Sequence, residues 1–439
     1  MSLDPHSLTP VLQPYLAAPR WWVGLSGGLD STTLLQLLVD LRETVELPPL
    51  VAIHVDHQLS ANAQDWRAHC EQLCARLDVE LVQRQVNVVD GGNGPEAAAR
   101  TARYAVFEEL VGAGEVLLLA HHADDQIETF FLRLLRGAGT LGLSAMPQQR
   151  VLGRGQLLRP LLELPRAALL SYAHKRQLSW VEDDSNQDQA LDRNYLRLSI
   201  LPGLGERWPA YRNNVEQAMQ AVAAAEAELT DLYRPQLKAA VGEYFGEPCL
   251  DLAVLQKLAP AALARVLRLW LVDLQQVPPG RARLMEFIRQ LQSGGDAARP
   301  ELAMAAYSLR RYRDRLHYVA PLPPLPTEFE SPLSATEPQL IAGLGSVRMT
   351  PADSGGLKLP ATGNWRLALR KGGERCQPVG RAHSQSLKKL LQEYGVPPWW
   401  RDRLPLLYDG DVLVAVADLW VCEGHRADAD SPGYEFHWR

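Results

Sequence analysis

The sequence predicts an α/β fold class with three domains. Strand-like and helix-like segments alternate through the N-terminal half, which is typical of a parallel sheet covered by helices on both faces. Residues 211–239 and 251–292 are rich in Ala, Leu and Gln at helical spacing and predict a helical middle domain. Short apolar runs after residue 340 surround a basic helix candidate at 384–394. They predict a small α+β C-terminal domain.

The alternating elements of the first domain can be placed in order. The predicted strands are WWVGL (21–25), LVAIHV (50–55), 79–86 and EVLLLAHH (115–122). The predicted helices are STTLLQLLVDL (31–41), 62–77, PEAAARTARYAVFEEL (95–110), where a proline marks the helix start, and 124–136. Because ligands bind at the carboxyl ends of parallel strands, we expect segments 26–31, 54–57 and 121–125 to share one edge of the sheet.

Length and composition set the domain bounds and the class of protein. The 439 residues divide into a parallel-sheet domain (1–210), a helical domain (211–320), a proline-rich extended linker (321–340) and a C-terminal domain (341–439). The 46% hydrophobic and 22% charged fractions are typical of a soluble globular protein. Neither a secretory signal nor an apolar run of roughly 18 residues is visible. We therefore expect no membrane association and a cytoplasmic location.

The five cysteines are few, odd in number and scattered, which favours a reducing compartment. Cys70 and Cys74 lie four residues apart in a predicted helix and are interpreted as buried apolar side chains, with a metal or iron–sulfur site as the alternative.

Basic side chains concentrate in two segments of a chain whose net charge is −6. Residues 129–162 contain five arginines and no acidic residue, and residues 366–403 contain nine Lys or Arg against three acids. The segments indicate two local contacts with phosphate, with ordinary solvated faces as the alternative.

The first chemical motif is GLSGGLDSTT (24–33), between a predicted strand and a predicted helix. It lacks the GxxxxGK[ST] spacing, so an ordinary kinase or GTPase loop is excluded. Gly27 and Gly28 allow the backbone to approach an anion, and Ser26 and Ser31 add hydroxyl donors. Asp30 would repel a bare pyrophosphate, so it should meet the anion through Mg²⁺ or bind a cationic substrate.

The second motif is HHADDQIET (121–129). Asp125 and Glu128 are three residues apart at a helix start, so both carboxylates share one face. They could hold Mg²⁺ on a nucleotide or accept a proton from an ammonium, whose pKa of about 10.4 calls for a nearby base. A zinc site formed by His121, His122, Asp124 and Asp125 is the alternative.

These two motifs resemble the PP-loop ATP pyrophosphatase superfamily and, within it, the family of bacterial tRNA(Ile)-lysidine synthetases. The resemblance extends over HVDHQL (54–59), EAAARTARY (96–104), RPLL (159–162), WVEDDSNQD (180–188), RNYLRLSILP (193–202) and residues 373–424. It covers the N-terminal half and the C-terminal domain, whereas the middle segment has no sharp motif.

The resemblance implies a reaction in two steps. ATP adenylates C2 of cytidine 34 in the CAU anticodon of tRNA(Ile) and releases pyrophosphate. Free lysine then displaces AMP and leaves lysidine, which changes codon reading from AUG to AUA. The target base has to leave the anticodon stack for this chemistry. ATP and Mg²⁺ are the implied cofactors.

The resemblance also implies roles for particular residues. The implied ATP-binding residues are Ser26, Gly27, Gly28, Leu29, Asp30, Ser31 and His54. The implied catalytic residues are Asp30, Asp125, Glu128, Arg100 and Arg193, with Asp125 and Glu128 also as metal ligands. The implied tRNA contacts are Arg133, Arg136, Arg197, Arg381, Lys388, Lys389, Arg401 and Arg403. Trp399 and Trp400 either stack on a nucleotide or belong to the core.

Two other functions fit part of this pattern. Another PP-loop enzyme, such as a tRNA thiolase, would be expected to carry reactive cysteines or a CxxC site, and none is present. A tRNA-binding protein without catalysis would be expected to lack the acids that are present at 30, 125 and 128. The sequence leaves the oligomeric state open, with a homodimer as one option.

Overall fold

The computed structural model describes residues 3–58, 62–88, 95–294, 299–326, 329–334, 337–341, 343–361, 364–428 and 430–438. Leu59, the last residue of the HVDHQL motif, lies outside these ranges, as do the side chains of residues 95–97 at the start of the EAAAR motif. The chain divides into two compact units, Met1–Leu229 and Thr230–Arg439.

A six-stranded sheet forms the centre of the first unit, with strand order β3-β2-β1-β4-β6-β5. Its strands are β1 (Trp21–Gly24), β2 (Leu50–Asp56), β3 (Glu80–Gln85), β4 (Val116–Leu118), β5 (Gln149–Leu152) and β6 (Gly155–Leu158). Five strands are parallel, and β5 pairs with β6 as an antiparallel hairpin at the edge. The predicted parallel sheet is confirmed, while the hairpin is an element that the sequence pattern does not indicate.

Helices cover both faces of this sheet. The helices described from residue 9 to residue 240 are α1 (Thr9–Leu12), α2 (Leu29–Arg42), α3 (Ala63–Leu77), α4 (Pro95–Leu110), α5 (Ala123–Leu135), α6 (Thr140–Leu143), α7 (Arg166–Lys175), α8 (Asp192–Tyr195), α9 (Leu201–Arg207) and α10 (Tyr211–Ala240). A π-helical turn, Leu196–Ile200, joins α8 to α9. Trp21 and Val23 of β1 pack with residues of α2 and α3, whereas Trp22 packs with Phe107 of α4. Successive side chains of the strand therefore enter opposite cores, as the two-residue period of a strand requires.

The second unit begins with helices on an antiparallel sheet. The helices are α11 (Leu252–Leu255), α12 (Pro260–Asp273) and α13 (Arg281–Ser293). The sheet has the order β7-β8-β11-β10-β9, with β7 (Val241–Tyr244), β8 (Glu247–Asp251), β9 (Glu301–Ala303), β10 (Ser308–Tyr312) and β11 (Arg315–Val319). The helical spacing thus corresponds to real helices, but the sheet that they cover is absent from the sequence prediction.

The C-terminal part of this unit is rich in strands. They are β12 (Glu330–Leu333), β13 (Gln339–Ile341), β14 (Gly345–Ala352), β15 (Trp365–Ala368), β16 (Arg375–Cys376), β17 (Gln385–Ser386), β18 (Leu406–Asp409), β19 (Val412–Val416), β20 (Trp420–Val421) and β21 (Gly433–Trp438), with one helix, α14 (Leu387–Glu393). Strands β12 and β13 lie within the segment predicted as a linker. Strand β12 occupies a sheet edge, where Pro332 costs no ladder hydrogen bond.

None of the helices in the described part of the chain has the length and apolar character needed to cross a membrane.

Candidate active site

The loop between β1 and α2 forms a tight, internally braced turn. Gly27 has φ +84°, and a Cβ at this position would lie 3.1 Å from Val181 Cγ2. Ser31 Oγ accepts a hydrogen bond from Ser26 N (3.1 Å) and donates to Gly28 O (3.1 Å). Gly28 is the N-cap of the 14-residue helix α2, so the positive end of this helix faces the turn. The geometry is that of an anion-binding loop.

His122 connects this loop to the second motif. It is 1% exposed and caps α5. Its ring Nδ1 accepts a hydrogen bond from the backbone N–H of Asp125 (3.3 Å), and its backbone N–H donates to Asp125 Oδ2 (3.1 Å). Its Nε2 lies 3.6 Å from Asp30 Oδ2 and 3.5 Å from Asp125 Oδ2. The structure therefore brings two predicted site carboxylates, from two different helices, to one imidazole ring.

The acidic residues around His122 affect its pKa more strongly than its burial does. Burial lowers the pKa of His122, but the contact with Asp30 and the negative charges of Asp125 and Asp124 raise it more, so the pKa lies above its ordinary value. These carboxylates therefore form an environment that favours positive charge.

Glu128 lies one helical turn beyond Asp125 and is 2% exposed. Arg197 donates to both of its oxygens, from Nε at 2.7 Å and Nη2 at 3.0 Å. Arg193 Nε is 3.6 Å from the same carboxylate. Arg193 and Arg197 thus share one face, as their spacing predicts. Arg197, predicted as a tRNA contact, is instead engaged with a predicted catalytic acid.

Asp30, Asp124, Asp125 and Glu128 form an acidic cluster around His122 and Arg197. Two further arginines contact it. Asp124 accepts from Arg166 N (2.9 Å) and pairs with Arg212, and Arg166 Nε lies 3.6 Å from Asp30 Oδ1. Burial raises the pKa of Asp124, but these two partners lower it more, so it lies below its ordinary value. Asp124 belongs to the DD pair of the motif. Arg166 and Arg212 occur in segments without a recognisable pattern, and only the folded chain identifies them.

His54 lies against the start of the loop. Its side chain is buried, with Nδ1 2.9 Å from Leu25 O and 3.5 Å from Cys70 Sγ. It fixes the backbone at the end of β1. Cys70 and Cys74 are buried apolar neighbours, and burial raises their thiol pKa values to about 12 and about 11.

The predicted arginines outside the acidic cluster have separate positions. Arg100 is exposed and donates to Tyr104 OH (3.3 Å). Arg133 is half-buried and donates to Gly142 O (3.0 Å) and Ala145 O (2.6 Å), so it braces the turn after α5. Arg136 is exposed and pairs with Asp192 at 2.8 Å.

The predicted C-terminal contacts divide into surface and internal side chains. Lys388 and Lys389 are exposed on α14, and Arg381 pairs with Glu393 at 2.7 Å. Arg401 donates to Val396 O (2.9 Å). Arg403 is only 9% exposed and donates to the backbone carbonyls of residues 343 and 323. Arg403 is therefore less accessible than the two lysines of α14, and its contact with tRNA stays a prediction.

The two tryptophans are half-buried in the second unit and hydrogen-bonded to one buried carboxylate. Trp399 Nε1 donates to Glu247 Oε1 (3.0 Å) and Oε2 (3.1 Å), and Trp400 Nε1 donates to Glu247 Oε1 (2.9 Å). Glu247 is itself buried. Their use as core residues, one of the two sequence alternatives, agrees with these contacts.

The described residues do not form a metal site from protein side chains alone. Within the described ranges, no three His, Cys, Asp or Glu side chains are arranged to hold a metal ion. The zinc alternative therefore has no ligand set in this part of the chain. Mg²⁺ differs, since one or two carboxylates with substrate phosphates suffice for it.

This site belongs to the class of PP-loop nucleotide-binding enzymes. The PP-loop domain model matches residues 5–204, the "TilS substrate binding domain" model matches residues 250–317, and the "TilS substrate C-terminal domain" model matches residues 365–438. The PP-loop match agrees with the strand, turn and helix at 21–42.

Full-length relatives identify the family. The chain is 41% identical over 436 residues to the tRNA(Ile)-lysidine synthase of Alkalilimnicola ehrlichii, covering 98% of this chain and 96% of the relative. It is 39% identical over 432 residues to the tRNA(Ile)-lysidine synthase of Yersinia pseudotuberculosis, with 95% of each chain covered. The chain belongs to the tRNA(Ile)-lysidine synthase family and is an enzyme. Among solved structures, a U34-tRNA thiolase from Methanococcus maripaludis matches at 17% identity and a TM-score of 0.41, covering 50% of this chain and 77% of that one.

Proposed function

We propose that this enzyme ligates free lysine to C2 of cytidine 34 in the CAU anticodon of tRNA(Ile), through an adenylated cytidine, and so changes codon reading from AUG to AUA. The observation that carries the proposal is the convergence of Asp30 and Asp125 on His122 beside the glycine turn. An anion site and a cation site then lie next to each other, as adenylation followed by amine attack requires. Free lysine, tRNA(Ile), ATP and Mg²⁺ are the proposed partners, and the cytoplasm is the proposed location.

The glycine turn supports the ATP-binding role. The positive φ of Gly27 and the Ser26–Ser31 contact hold the turn open to an anion at the start of α2. A P-loop lysine is absent from this turn, so it suits a pyrophosphate that leaves more than a γ-phosphate that is transferred. His54 is proposed to border the adenosine.

The carboxylates differ in their fitness for Mg²⁺. Asp30 Oδ1 is buried without a hydrogen-bond partner, and Asp125 points to the same imidazole ring. Both are oxygen ligands of the kind that Mg²⁺ prefers. Glu128 fits less well, because Arg197 occupies both of its oxygens. Bound Mg²⁺ would neutralise charge on the phosphates of ATP.

The acidic cluster also fits the amine substrate. A lysine ammonium has a pKa of about 10.4, so it has to lose a proton before it can attack C2. We propose that Asp125 and Asp30 attract the ammonium and that one of them accepts this proton. Glu128 holds Arg193 and Arg197 at the cluster, where their guanidinium groups can stabilise negative charge on the adenylated intermediate. Arg100 is proposed to contact phosphate.

Exposed cations of the C-terminal domain are proposed to hold the tRNA outside the anticodon. Lys388 and Lys389 are exposed on one helix, and Arg381 and Arg401 lie near them in sequence. Phosphate contacts of this kind position an RNA without reading its sequence. We propose that this domain also reads the acceptor arm and so contributes to the rejection of methionine tRNA, which has the same anticodon.

A single incubation tests the proposed reaction. Purified protein is mixed with tRNA(Ile) bearing CAU, Mg-ATP and labelled lysine, and the RNA is then digested and analysed by mass. We expect lysine on cytidine 34 with equal amounts of AMP and pyrophosphate. A transcript with uridine at position 34 is the matched control and should remain unmodified.

Two outcomes would contradict the proposal. Pyrophosphate release without lysine transfer would retain the adenylating loop but require another nucleophile. Intact tRNA binding without any turnover would favour a protein that binds tRNA but has no catalytic role.

A further inference from the structure

Two adjacent histidines of the second motif face opposite charges. His122 contacts the acidic cluster, as described above, whereas Arg159 Nε donates to His121 Nδ1 at 3.3 Å. Burial, and then the positive charges of Arg159 and Arg100, hold the pKa of His121 well below its ordinary value. These two consecutive residues therefore mark two sides of one site. The acidic side lies at His122, and the basic side lies at His121.

The basic side is built around Tyr104 of α4. The guanidinium carbon of Arg100 lies 4.8 Å from the centre of the tyrosine ring, and that of Arg150 lies 4.9 Å from it. Arg100 and Arg150 are exposed, whereas Arg159 is 2% exposed. Arg159 Nη1 donates to Pro147 O at 2.7 Å, and this hydrogen bond holds the guanidinium group in place. One buried arginine thus supports an aromatic ring that carries two surface guanidinium groups.

In the described part of the chain, these three arginines donate hydrogen bonds to uncharged groups. Arg100 donates to Tyr104 OH, Arg150 donates to Val151 O, and Arg159 donates to His121 Nδ1 and Pro147 O. Burial raises the pKa of Tyr104, but the positive charges of these three arginines outweigh that effect and lower it. Several cations held together in a partly dry environment repel one another, and a bound anion relieves this repulsion.

The position of Arg150 separates this group from the glycine turn. Arg150 lies at the start of β5, opposite Leu157 near the carboxyl end of β6. Strand β5 is three steps from β1 in the sheet, which is about 14 Å at the spacing of neighbouring strands. The backbone of Arg150 therefore lies well away from the turn after β1.

We propose that Arg100 and Arg150, on either side of Tyr104, bind a phosphodiester of the RNA strand next to the target nucleotide. This inference depends on the proposed function, since it presumes an RNA substrate. Planar guanidinium groups match the geometry of phosphate oxygens, and stacking on the ring orients them before the RNA arrives. The acidic side then receives the cationic substrate while the basic side holds the RNA backbone.

A charge deletion with a matched control tests the proposal. Arg150→Ala removes one cation of the group, and Arg154→Ala removes an exposed arginine from the turn of the same hairpin, at the opposite end of its strands. The affinity for tRNA(Ile) is measured from about 50 to 200 mM salt, and Mg-ATP binding is measured separately. For Arg150→Ala we expect roughly three- to ten-fold weaker tRNA binding and a salt slope smaller by about one. Arg154→Ala should match the unsubstituted protein, and both variants should bind Mg-ATP normally.

A second variant examines the support for this group. Tyr104→Leu keeps an apolar side chain but removes the ring on which both guanidinium groups stack, so tRNA binding should weaken by at least as much as in Arg150→Ala. Equal losses in Arg150→Ala and Arg154→Ala, or unchanged binding in Arg150→Ala, would overturn the proposal. A loss confined to Mg-ATP binding would assign the group to the nucleotide and also overturn it. If the unsubstituted protein bound no tRNA, the proposed function itself would be wrong.

Discussion

Glu128 and Arg197 form a two-point ion pair, with Arg197 Nε 2.7 Å from Oε1 and Nη2 3.0 Å from Oε2. The side chain of Glu128 is 2% exposed and that of Arg197 is 35% exposed. A buried carboxylate is therefore satisfied by an arginine that the sequence assigns to RNA binding. This relationship distinguishes two roles for Arg197 that experiment can separate.

Arg197→Ala is expected to lower stability by about 2 kcal/mol, because it leaves a buried carboxylate with weaker compensation while the partly exposed partner tempers the loss. Lysidine formation should fall strongly, whereas the salt dependence of tRNA binding should stay unchanged. Denaturant unfolding and salt titrations of binding measure the two effects. Arg136→Ala, at an exposed ion pair with Asp192, should leave the stability almost unchanged and reduce the salt dependence of tRNA binding. A reduced salt slope in Arg197→Ala would restore the role in RNA binding.

The two glycines of the loop provide a second prediction. Gly27 has φ +84°, and a Cβ there would lie 3.1 Å from Val181 Cγ2 and 3.2 Å from Cys70 Sγ. Gly28 has φ −74°, and a Cβ at this position would have Ser26 Oγ as its nearest neighbour, at 3.5 Å. Gly27→Ala should cost at least about 1 kcal/mol through backbone strain and crowding, whereas Gly28→Ala should unfold almost like the parent. Thermal unfolding without ATP measures both, and equal effects would show that the turn is not strained.

We propose Asp30 as a carboxylate ligand of Mg²⁺, because its Oδ1 has no hydrogen-bond partner among the described residues and makes an ion-pair contact with Arg166 Nε at 3.6 Å. Asp30→Asn keeps the size of the side chain and removes its charge. We expect the Mg²⁺ concentration for half-maximal turnover to rise at least about ten-fold, since a charged ligand is lost. Asp65→Asn, on the exposed first turn of α3, is the control. An unchanged Mg²⁺ requirement in Asp30→Asn would exclude Asp30 as a ligand.

Cysteine reactivity tests the alternative of a sulfur-transfer enzyme. Cys70 is buried, and burial raises its pKa to about 12, so only about one thiol in ten thousand is ionised at pH 8. Cys70 and Cys74 should therefore resist alkylation in the native protein and react readily after denaturation. Mass analysis after brief iodoacetamide treatment measures the difference. Rapid native labelling at Cys70 would reveal an accessible thiolate, as a thiolase would need.

The sequence predicts the N-terminal sheet well because its strands are continuous apolar runs between clear helices. The motif at 21–33 becomes strand, turn and helix within two residues of the expected bounds. Asp30 and Asp125 meet because parallel strands end at one edge. These features depend on local periodicity and topology, which a single sequence contains.

The elements that escape prediction depend on distant partners. Strands β7 to β11 are only three to five residues long. Three of their pairings are local hairpins, but β8 pairs with β11 across helices α11 to α13, and no local pattern indicates that contact. Arg166 and Arg212 reach the acidic cluster from segments without a motif. Arg403 looks like a surface cation in the sequence, but it is only 9% exposed and donates to two backbone carbonyls. Composition gives the charge of a side chain but not the direction in which it points.

Trp399 offers the last prediction. Its indole N–H donates to both oxygens of the buried Glu247, which also accepts from Trp400. Trp399→Phe removes one donor and leaves the other, so stability should fall by about 1–2 kcal/mol. Because the half-buried ring is engaged with Glu247, tRNA affinity and its salt slope should match those of the unsubstituted protein. Lys388→Ala, at an exposed cation of α14, should show the reverse, with normal unfolding and weaker binding. Weaker tRNA binding by a fully folded Trp399→Phe would instead favour stacking of this ring on a nucleotide.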